Sequence, residues 1–326
     1  MLRLGLRRER ARGMRGVGSS YWRASRALRG PGALRRGVDG GSKRSAPVES
    51  TACASKPGGL RTRGASRSRR REGTGLAAAV GLREFGGAVA INSSVFLLGY
   101  KVLSSGLSRA AVAHAWFLGT ACLAAFQVQG YLLVCLYFVF GTLVTKIGKD
   151  IKVMEGTYER NEGKRTPASV WGSGLAAIVC ATLALAFGSN QSLANLLRIG
   201  FVASFTSKLS DTVASEIGKA YGRRTILITN LKPVPRGTDG AISLEGTLAG
   251  LLASAAYAGV GLGLGQVNLA GFGACVVAAF IANNLESLLG ATLQKEHGRH
   301  LSNDVVNMTQ ISAAAVLAML LYSICT

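Results

Sequence analysis

Beyond residue 85 the chain is a succession of long apolar blocks separated by short polar breaks. The blocks run over 86–103, 110–126, 130–145, 169–187, 193–207, 246–263, 268–290 and 306–324. A helix needs about 20 predominantly apolar residues to cross a hydrocarbon layer roughly 30 Å thick. The pattern therefore predicts an all-α fold, a polytopic membrane helical bundle of six to eight transmembrane helices. The block at 193–207 is marginal, because it is short and carries Arg198. Gly, Ala and Ser are dense within the blocks, as expected where helices pack closely without a hydrophobic drive. The run Gly259-Val260-Gly261-Leu262-Gly263-Leu264-Gly265 has the look of a nucleotide-binding fingerprint. It lies inside an apolar block, where helix packing is the better reading.

Residues 1–74 lack this pattern. They are rich in Arg, Ser, Gly and Ala, with runs such as Arg69-Arg70-Arg71 and little sustained apolar period. Such a segment cannot bury enough surface to fold alone. The chain divides into a disordered basic segment, 1–74, and a membrane-embedded domain, 75–326.

Charge refines the division. The 326 residues include 38 Lys+Arg and 16 Asp+Glu, a net +22, yet 48% are hydrophobic and only 17% charged. A nucleic-acid binder of this charge would be polar throughout. Here the first 74 residues hold 20 Lys/Arg against four acids, Glu9, Asp39, Glu49 and Glu72. An Arg-rich, Ser-containing, acid-poor N-terminus without a compact apolar core has the composition of an organelle transit peptide, not of a secretory signal. No nucleic-acid partner is expected. In the membrane domain, an eight-span count places the connections 104–109, 146–168, 208–245 and 291–305 on one face. With Lys101, that face collects 16 of the domain's 18 Lys/Arg, and the opposite connections, Gln127–Gln129, Gly188–Ser192 and Gly265–Asn268, carry no charge. The positive-inside rule makes the basic face the stromal, matrix or cytosolic side. Cys53, Cys122, Cys135, Cys180, Cys275 and Cys325 show no metal-ligand spacing and read as packed thiols. His114, His297 and His300 show no triad or metal spacing either.

Candidate chemistry gathers on the basic face. In Lys208-Leu-Ser-Asp211-Thr-Val-Ala214-Ser215-Glu216-Ile-Gly218-Lys219-Ala-Tyr-Gly222-Arg223-Arg224, helical geometry brings Asp211, Ser215, Gly218 and Gly222 within about 60° of one another. The carboxylate then lies on a stripe of small residues that a phosphate or another helix can approach, flanked by Lys208 and Lys219. A carboxylate, glycines and cations suit a Mg²⁺–polyphosphate complex, because the metal takes oxygen ligands and shares the phosphate oxygens. A GxxxG helix contact explains the stripe equally well. A second stretch, Pro235-Arg236-Gly237-Thr238-Asp239-Gly240 to Ser243-Leu-Glu245-Gly246-Thr247, is a turn-rich loop entering a span, preceded by a possible short strand at Thr225–Thr229. Glu245 at the span start suits a helix N-terminus or a phosphate or metal site. The third is Asn283-Asn284-Leu-Glu286-Ser287 with Asn303-Asp304-Val-Val-Asn307. Glu286 lies in an apolar run, and an ionisable group there is a functional candidate, with a structural ion pair the alternative. The loop 146–168, with Lys146, Lys149, Lys152, Glu159, Lys164 and Arg165, anchors topology or binds headgroups or nucleotide.

Together Asn92, the 130–152 segment, Ser169-Val-Trp-Gly-Ser173, the Ser210–Gly222 run, Arg236-Gly-Thr, Ser243-Leu-Glu-Gly-Thr247 and Asn303-Asp-Val-Val-Asn307 resemble the transmembrane protein 19-like family, and most of all its plastid branch of phytyl-phosphate kinases. The likeness covers essentially all of residues 85–326. A more distant likeness, through Asp211, Ala214, Gly218, Gly222 and Glu245-Gly246, is to phytol and dolichol kinases and CDP-lipid synthases. The proline that ends their third motif is absent here.

The resemblance implies transfer of a phosphoryl group from a nucleoside triphosphate, CTP, to an isoprenoid monophosphate, giving phytyl diphosphate for tocopherol synthesis in a chloroplast membrane, the inner envelope. It implies Mg²⁺ held by Asp211, Glu245 and Asp304, with Glu286 as a further catalytic carboxylate. Lys208, Lys219, Arg223 and Arg236, with Ser215, Gly218, Gly222 and Asn303, would bind nucleotide and phosphate. A polyprenol kinase or a CDP-lipid-type cytidylyltransferase is the alternative within enzymes. A small-solute transporter is the alternative outside them, and it would carry its polar groups at the midplane.

Overall fold

The structure, a computed structural model, describes residues 85–158, 164–294 and 301–326. The basic segment 1–74, with Cys53, and the loop residues Glu159, His297 and His300 lie outside the described residues. The elements are α1 (Phe85–Leu98), α2 (Tyr100–Gly106), α3 (Arg109–Lys146), α4 (Lys149–Met154), α5 (Pro167–Phe187), α6 (Gln191–Tyr221), β1 (Thr225–Leu227), β2 (Ala241–Ser243), α7 (Leu244–Gly263), α8 (Leu269–Leu293) and α9 (Asn303–Cys325). Each of the eight apolar blocks is helical over most of its length, the first broken at Gly99 between α1 and α2. Five helices, α3, α5, α7, α8 and α9, are long and apolar enough to cross a membrane, and six if α1 and α2, bent by 77° to one another, count as one span.

The long helices start where the sequence supplies a side-chain oxygen. Ser108, Thr166, Asn190, Ser243, Asn268 and Ser302 precede α3, α5, α6, α7, α8 and α9, and each accepts a hydrogen bond from the backbone N–H three residues on. Each cap satisfies a donor that the first turn cannot pair internally. Pro167 adds a fixed φ at the start of α5.

Two helices depart from the one-block, one-helix expectation. In α3 the backbone leaves helical geometry at Gln127, with φ 57° and ψ −167°. A Cβ built on Gly119 would lie 3.3 Å from the Tyr131 ring, although 12 residues of straight helix span about 18 Å. The chain therefore folds back at Gln127, and the segments 109–126 and 128–146 lie side by side, as their separate apolar blocks implied. Asn92 of α1 ties both together, donating to the Trp116 carbonyl and the Thr120 hydroxyl at 2.8 Å and accepting from Tyr131 Oη at 2.6 Å.

The second departure is α6. The marginal block 193–207 and the charged run from Lys208 to Tyr221 form one continuous helix of 31 residues. Its buried positions run almost without interruption from Leu197 to Asp211, and it packs against α3, α5, α7, α8 and α9. Phe201 stacks on Phe126 with ring centroids 4.4 Å apart, and Phe205 meets Tyr137 at 5.1 Å. The outward surface is apolar instead of polar, with Leu132, Phe140, Val179, Val277, Ile281 and Leu320 exposed, as a bilayer requires. Gly261 of the glycine run receives Val202 of α6, with a built Cβ 3.1 Å from its methyl, so that position serves helix packing. Among the described cysteines none is in a disulfide, and Cys122, Cys180 and Cys275 are buried.

β1 and β2 pair antiparallel, with Thr225 opposite Ser243. The strand expected at Thr225–Thr229 is present but three residues long. The loop between the strands docks on α8 through Gly240. Its φ of 75° and the proximity of Ala291 and the Ser287 carbonyl leave no room for a side chain.

Candidate functional site

The end of α3, the starts of α5, α7 and α9, and the ends of α6 and α8 meet around a cavity of about 900 Å³. The loop residues in its wall come from 146–168, 208–245 and 291–305, all connections of the basic face. Five cations, Lys164, Arg165, Lys208, Lys219 and Arg236, share the wall with four carboxylates, Asp211, Asp239, Glu286 and Asp304.

α6 supplies the centre. Lys208 donates to Asp211 Oδ2 at 2.5 Å and to Asn307 Oδ1 at 2.9 Å. The cation that the sequence placed beside a phosphate stripe is thus held between α6 and α9, and both members of the ion pair are largely buried. The pair offsets much of the cost of desolvating each charge. Deeper in, Asn283 donates to Ser210 Oγ at 3.2 Å, and Gln310 donates to Asn283 Oδ1 at 3.3 Å. These bonds join α6, α8 and α9 in a polar network below the carboxylates.

The small-residue stripe has a structural occupant. A Cβ on Gly246 would lie 2.6 Å from the Ala214 carbonyl oxygen, and one on Gly222 would lie 2.9 Å from Ser243 Oγ. α7 fills the face that sequence alone left open to a phosphate or a helix. Gly218 and Ser215 still border the cavity, whereas Gly222 does not. Glu245 and Arg223 are also absent from the cavity wall. Glu245 sits in the first turn of α7, behind the Ser243 cap, where a carboxylate complements the helix dipole. Arg223 is exposed just past the end of α6. Arg236 reaches the wall with much of its hydrogen bonding committed: Nε donates to the Gly222 carbonyl at 2.8 Å, and Nη1 donates to Glu155 at 2.9 Å. Glu286 accepts from the Ser287 hydroxyl at 3.4 Å and forms no ion pair among the described residues. Asp304 lies over Gly172 of α5, whose built Cβ would come 3.5 Å from Asp304 Oδ1. Asn303 lines the rim and accepts from Gln294 at 3.4 Å.

Two features of the basic loop go beyond the expectation that it anchors topology or binds headgroups or nucleotide. The loop 146–168 contains α4, entered through Gly148 at φ 61°. Lys152 of α4 is fully buried, donating to the Thr145 carbonyl at 2.6 Å and pairing with Glu216 of α6. Glu216 also faces Lys219 at 3.5 Å. It stands about 140° around α6 from Asp211, so a helical projection marks it as belonging to another face, although not its partner. The second feature is Arg165, whose backbone bonds to Gly106 and Ser108 fix it in place. Its guanidinium lies 4.9 Å over the Tyr137 ring and donates to Tyr137 Oη at 2.9 Å, and Tyr137 donates to Ser173 Oγ.

Among the described residues no group of three or more His, Cys, Asp or Glu side chains converges to hold a metal. The donor chemistry fits a different mode, in which Mg²⁺ arrives with phosphate oxygens and takes one or two protein carboxylates. Asp211 and Asp304 in the wall match that requirement, and Glu245 does not.

Comparison with known proteins adds an independent line. Residues 92–317 match the model of a family described as integral membrane protein DUF92. The chain is 48% identical over 235 residues, 72% of this chain and 71% of the relative, to a protein of Arabidopsis thaliana named Protein VTE6, chloroplastic. It is 47% identical over 232 residues to an uncharacterized membrane protein of Synechocystis, covering 71% of this chain and 89% of the relative. A third relative, an uncharacterized membrane protein of Methanocaldococcus jannaschii, is 34% identical over 195 residues, covering 59% of this chain and 76% of the relative. No solved structure matches.

Proposed function

The chain belongs to the DUF92 family of integral membrane proteins, and on that premise we propose that it is a membrane kinase converting phytyl phosphate, an isoprenoid monophosphate, to its diphosphate at the expense of a nucleoside triphosphate, CTP. The observation that carries the reading is the single cavity in which Asp211, Glu286 and Asp304 stand among Lys208, Lys219, Arg165 and Arg236 at the charged end of the bundle. A bare metal site or a proton relay needs no such cluster of cations, whereas two phosphorylated substrates do.

The attacking group is the phosphate of the lipid, already ionised, so no strong general base is needed. Catalysis rests on holding two anions in line and neutralising charge as it shifts. Lys219 and Arg236 bind the nucleotide phosphates beside the loop Gly237–Gly240, together with Ser215, Gly218 and Asn303. Lys208, held by Asn307, orients Asp211. Asp211 and Asp304 would hold a Mg²⁺ ion accompanying the nucleotide, which would supply charge neutralisation at the phosphates.

The name of the Arabidopsis relative supports a chloroplast membrane as the location, and in this reading residues 1–74 are a transit peptide removed on import. The family supports a multi-pass protein of the lipid bilayer. The test is direct: purified protein, phytyl or geranylgeranyl monophosphate, and each nucleoside triphosphate labelled at the γ- or α-phosphate. γ-Label in the lipid diphosphate is the expected result, and α-label on the lipid would mark a cytidylyltransferase instead. Asp211→Asn is expected to lower transfer about 100-fold or more, the scale of losing one group aimed at developing charge. Full activity of that variant would sink the central assignment.

A further inference from the structure

Outside the charged cavity, α5 and α9 border an apolar groove lined by Leu175, Met308, Thr309, Ser312, Ala313 and Val316. Its position relative to the cavity is set by helix geometry. On α9, Asp304, Met308, Ser312 and Val316 follow one another at intervals of four, which on an α-helix forms a continuous ridge. The first member belongs to the cavity wall, and the other three border the groove. On α5, Gly172 lies against Asp304, and Leu175, three residues on and about 60° around the helix, borders the groove. Beneath it Ala176, Ile311 and Ala315 close the contact between the two helices as a small buried cluster apart from the main core. The groove thus begins where the cavity ends and leads away from the charged face, along the lipid-facing side of the bundle.

We infer that this groove holds the isoprenoid chain of the acceptor lipid, with the lipid phosphate at the Arg165 side of the cavity. This rests on the function proposed above and specifies where its lipid substrate lies. From Asp304 to Val316 the helix advances about 18 Å, roughly the length of an extended chain of fifteen carbons. The residues on the way are apolar or small and accept a branched hydrocarbon. At the head, Arg165 stands in the cavity wall two residues before α5, its guanidinium over the Tyr137 ring. A planar guanidinium suits a phosphate dianion.

The experiment measures binding, not turnover, with the full chain in lipid nanodiscs and two probes that share a headgroup: geranylgeranyl monophosphate and dimethylallyl monophosphate. Ala313→Trp, and separately the milder Ala313→Leu, fill the groove. Val277→Trp places the same bulk on the lipid-exposed side of α8, away from it. The expected result is a loss of affinity for the long-tailed probe of about tenfold in Ala313→Trp, smaller in Ala313→Leu, with the short-tailed probe unchanged and Val277→Trp like the parent. Arg165→Gln weakens both probes equally. Equal loss of both probes in the Ala313 variants, no loss of either, or the same loss in Val277→Trp overturns the inference. Absence of phosphoryl transfer by the parent protein would overturn the kinase reading alone, because tail-length discrimination is read without turnover.

Discussion

Lys152 and Glu216 show what a single pair of residues does in this bundle. Their charges are almost completely removed from water, and Lys152 has the Thr145 carbonyl as its other partner. Removing one member of a buried pair leaves an uncompensated charge, typically at a cost of about 3–5 kcal/mol, whereas replacing both with apolar groups is often neutral. Glu216→Leu, which leaves the fully buried Lys152 without its carboxylate, is therefore expected to lower the stability of the purified protein by about that amount, and Glu216→Leu with Lys152→Met to recover most of it. A double-mutant cycle by thermal or denaturant unfolding in detergent measures the difference. Much of the candidate site was legible at this scale. Asp211, Glu286, Lys208 and Lys219 were marked by residue type and spacing, Asp304 and Arg236 as site residues by the family resemblance, and all reach one cavity. Glu245, named with them, lies outside the cavity wall in the first turn of α7. Sequence shows that an acid stands at a helix start but not which way the first turn faces. Lys152 and Arg165 were named only as members of the basic loop, because their partners lie 64 and 28 positions away.

At the scale of elements, the contact between α6 and α7 sets the shape of the site. Ala214, Gly218 and Gly222 on one helix and Ser243, Gly246 and Gly250 on the other let the backbones approach until a Cβ on Gly250 would lie 2.9 Å from the Ser210 carbonyl oxygen. Gly246→Ala forces the helices apart and is expected to cost about 1–3 kcal/mol, the range for overpacking a close contact. Gly273→Ala on α8, where nothing lies within 4 Å, is expected to be tolerated. Comparative unfolding of the two variants tests the contrast, and equal stability would remove α7 as the occupant of the stripe. The same contact explains why the glycine pattern read ambiguously. Helix packing and phosphate approach both require an absent side chain, and only the neighbouring helix decides between them. The helices themselves were easier to read, since a bilayer forces every buried backbone group to pair within its own segment. The hairpin at Gln127 was visible as two blocks. The continuity of α6 was not, because charged residues that end a span in sequence are here enclosed by five other helices.

At the scale of the whole molecule, the segregation of charge defines two ends. The cavity opens among the connections that hold the cations, and the opposite connections, around 188–190 and 264–268, carry none. A cysteine introduced at Ser189 and another at Lys232 are expected to react with a membrane-impermeant maleimide from opposite sides of sealed vesicles. Labelling of both from one side would break the topology on which the site's location depends. The same polarity makes the protein an interfacial catalyst in the proposed reading, with water-soluble and lipid-soluble substrates arriving from different directions.

The pairing of Lys152 with Glu216 has a consequence for the order of events during biogenesis. The two residues are separated by 64 positions, and between them lie all of α5 and most of α6. When α4 emerges, its partner has not yet been made. An unpaired lysine is costly inside a membrane, so α4 must wait at the aqueous surface until α6 has been inserted. Only then can the connection after α3 take its final place, which puts Thr157 and Tyr158 in the cavity wall. The buried pair can therefore form only after α6, the helix that carries Asp211, has been made.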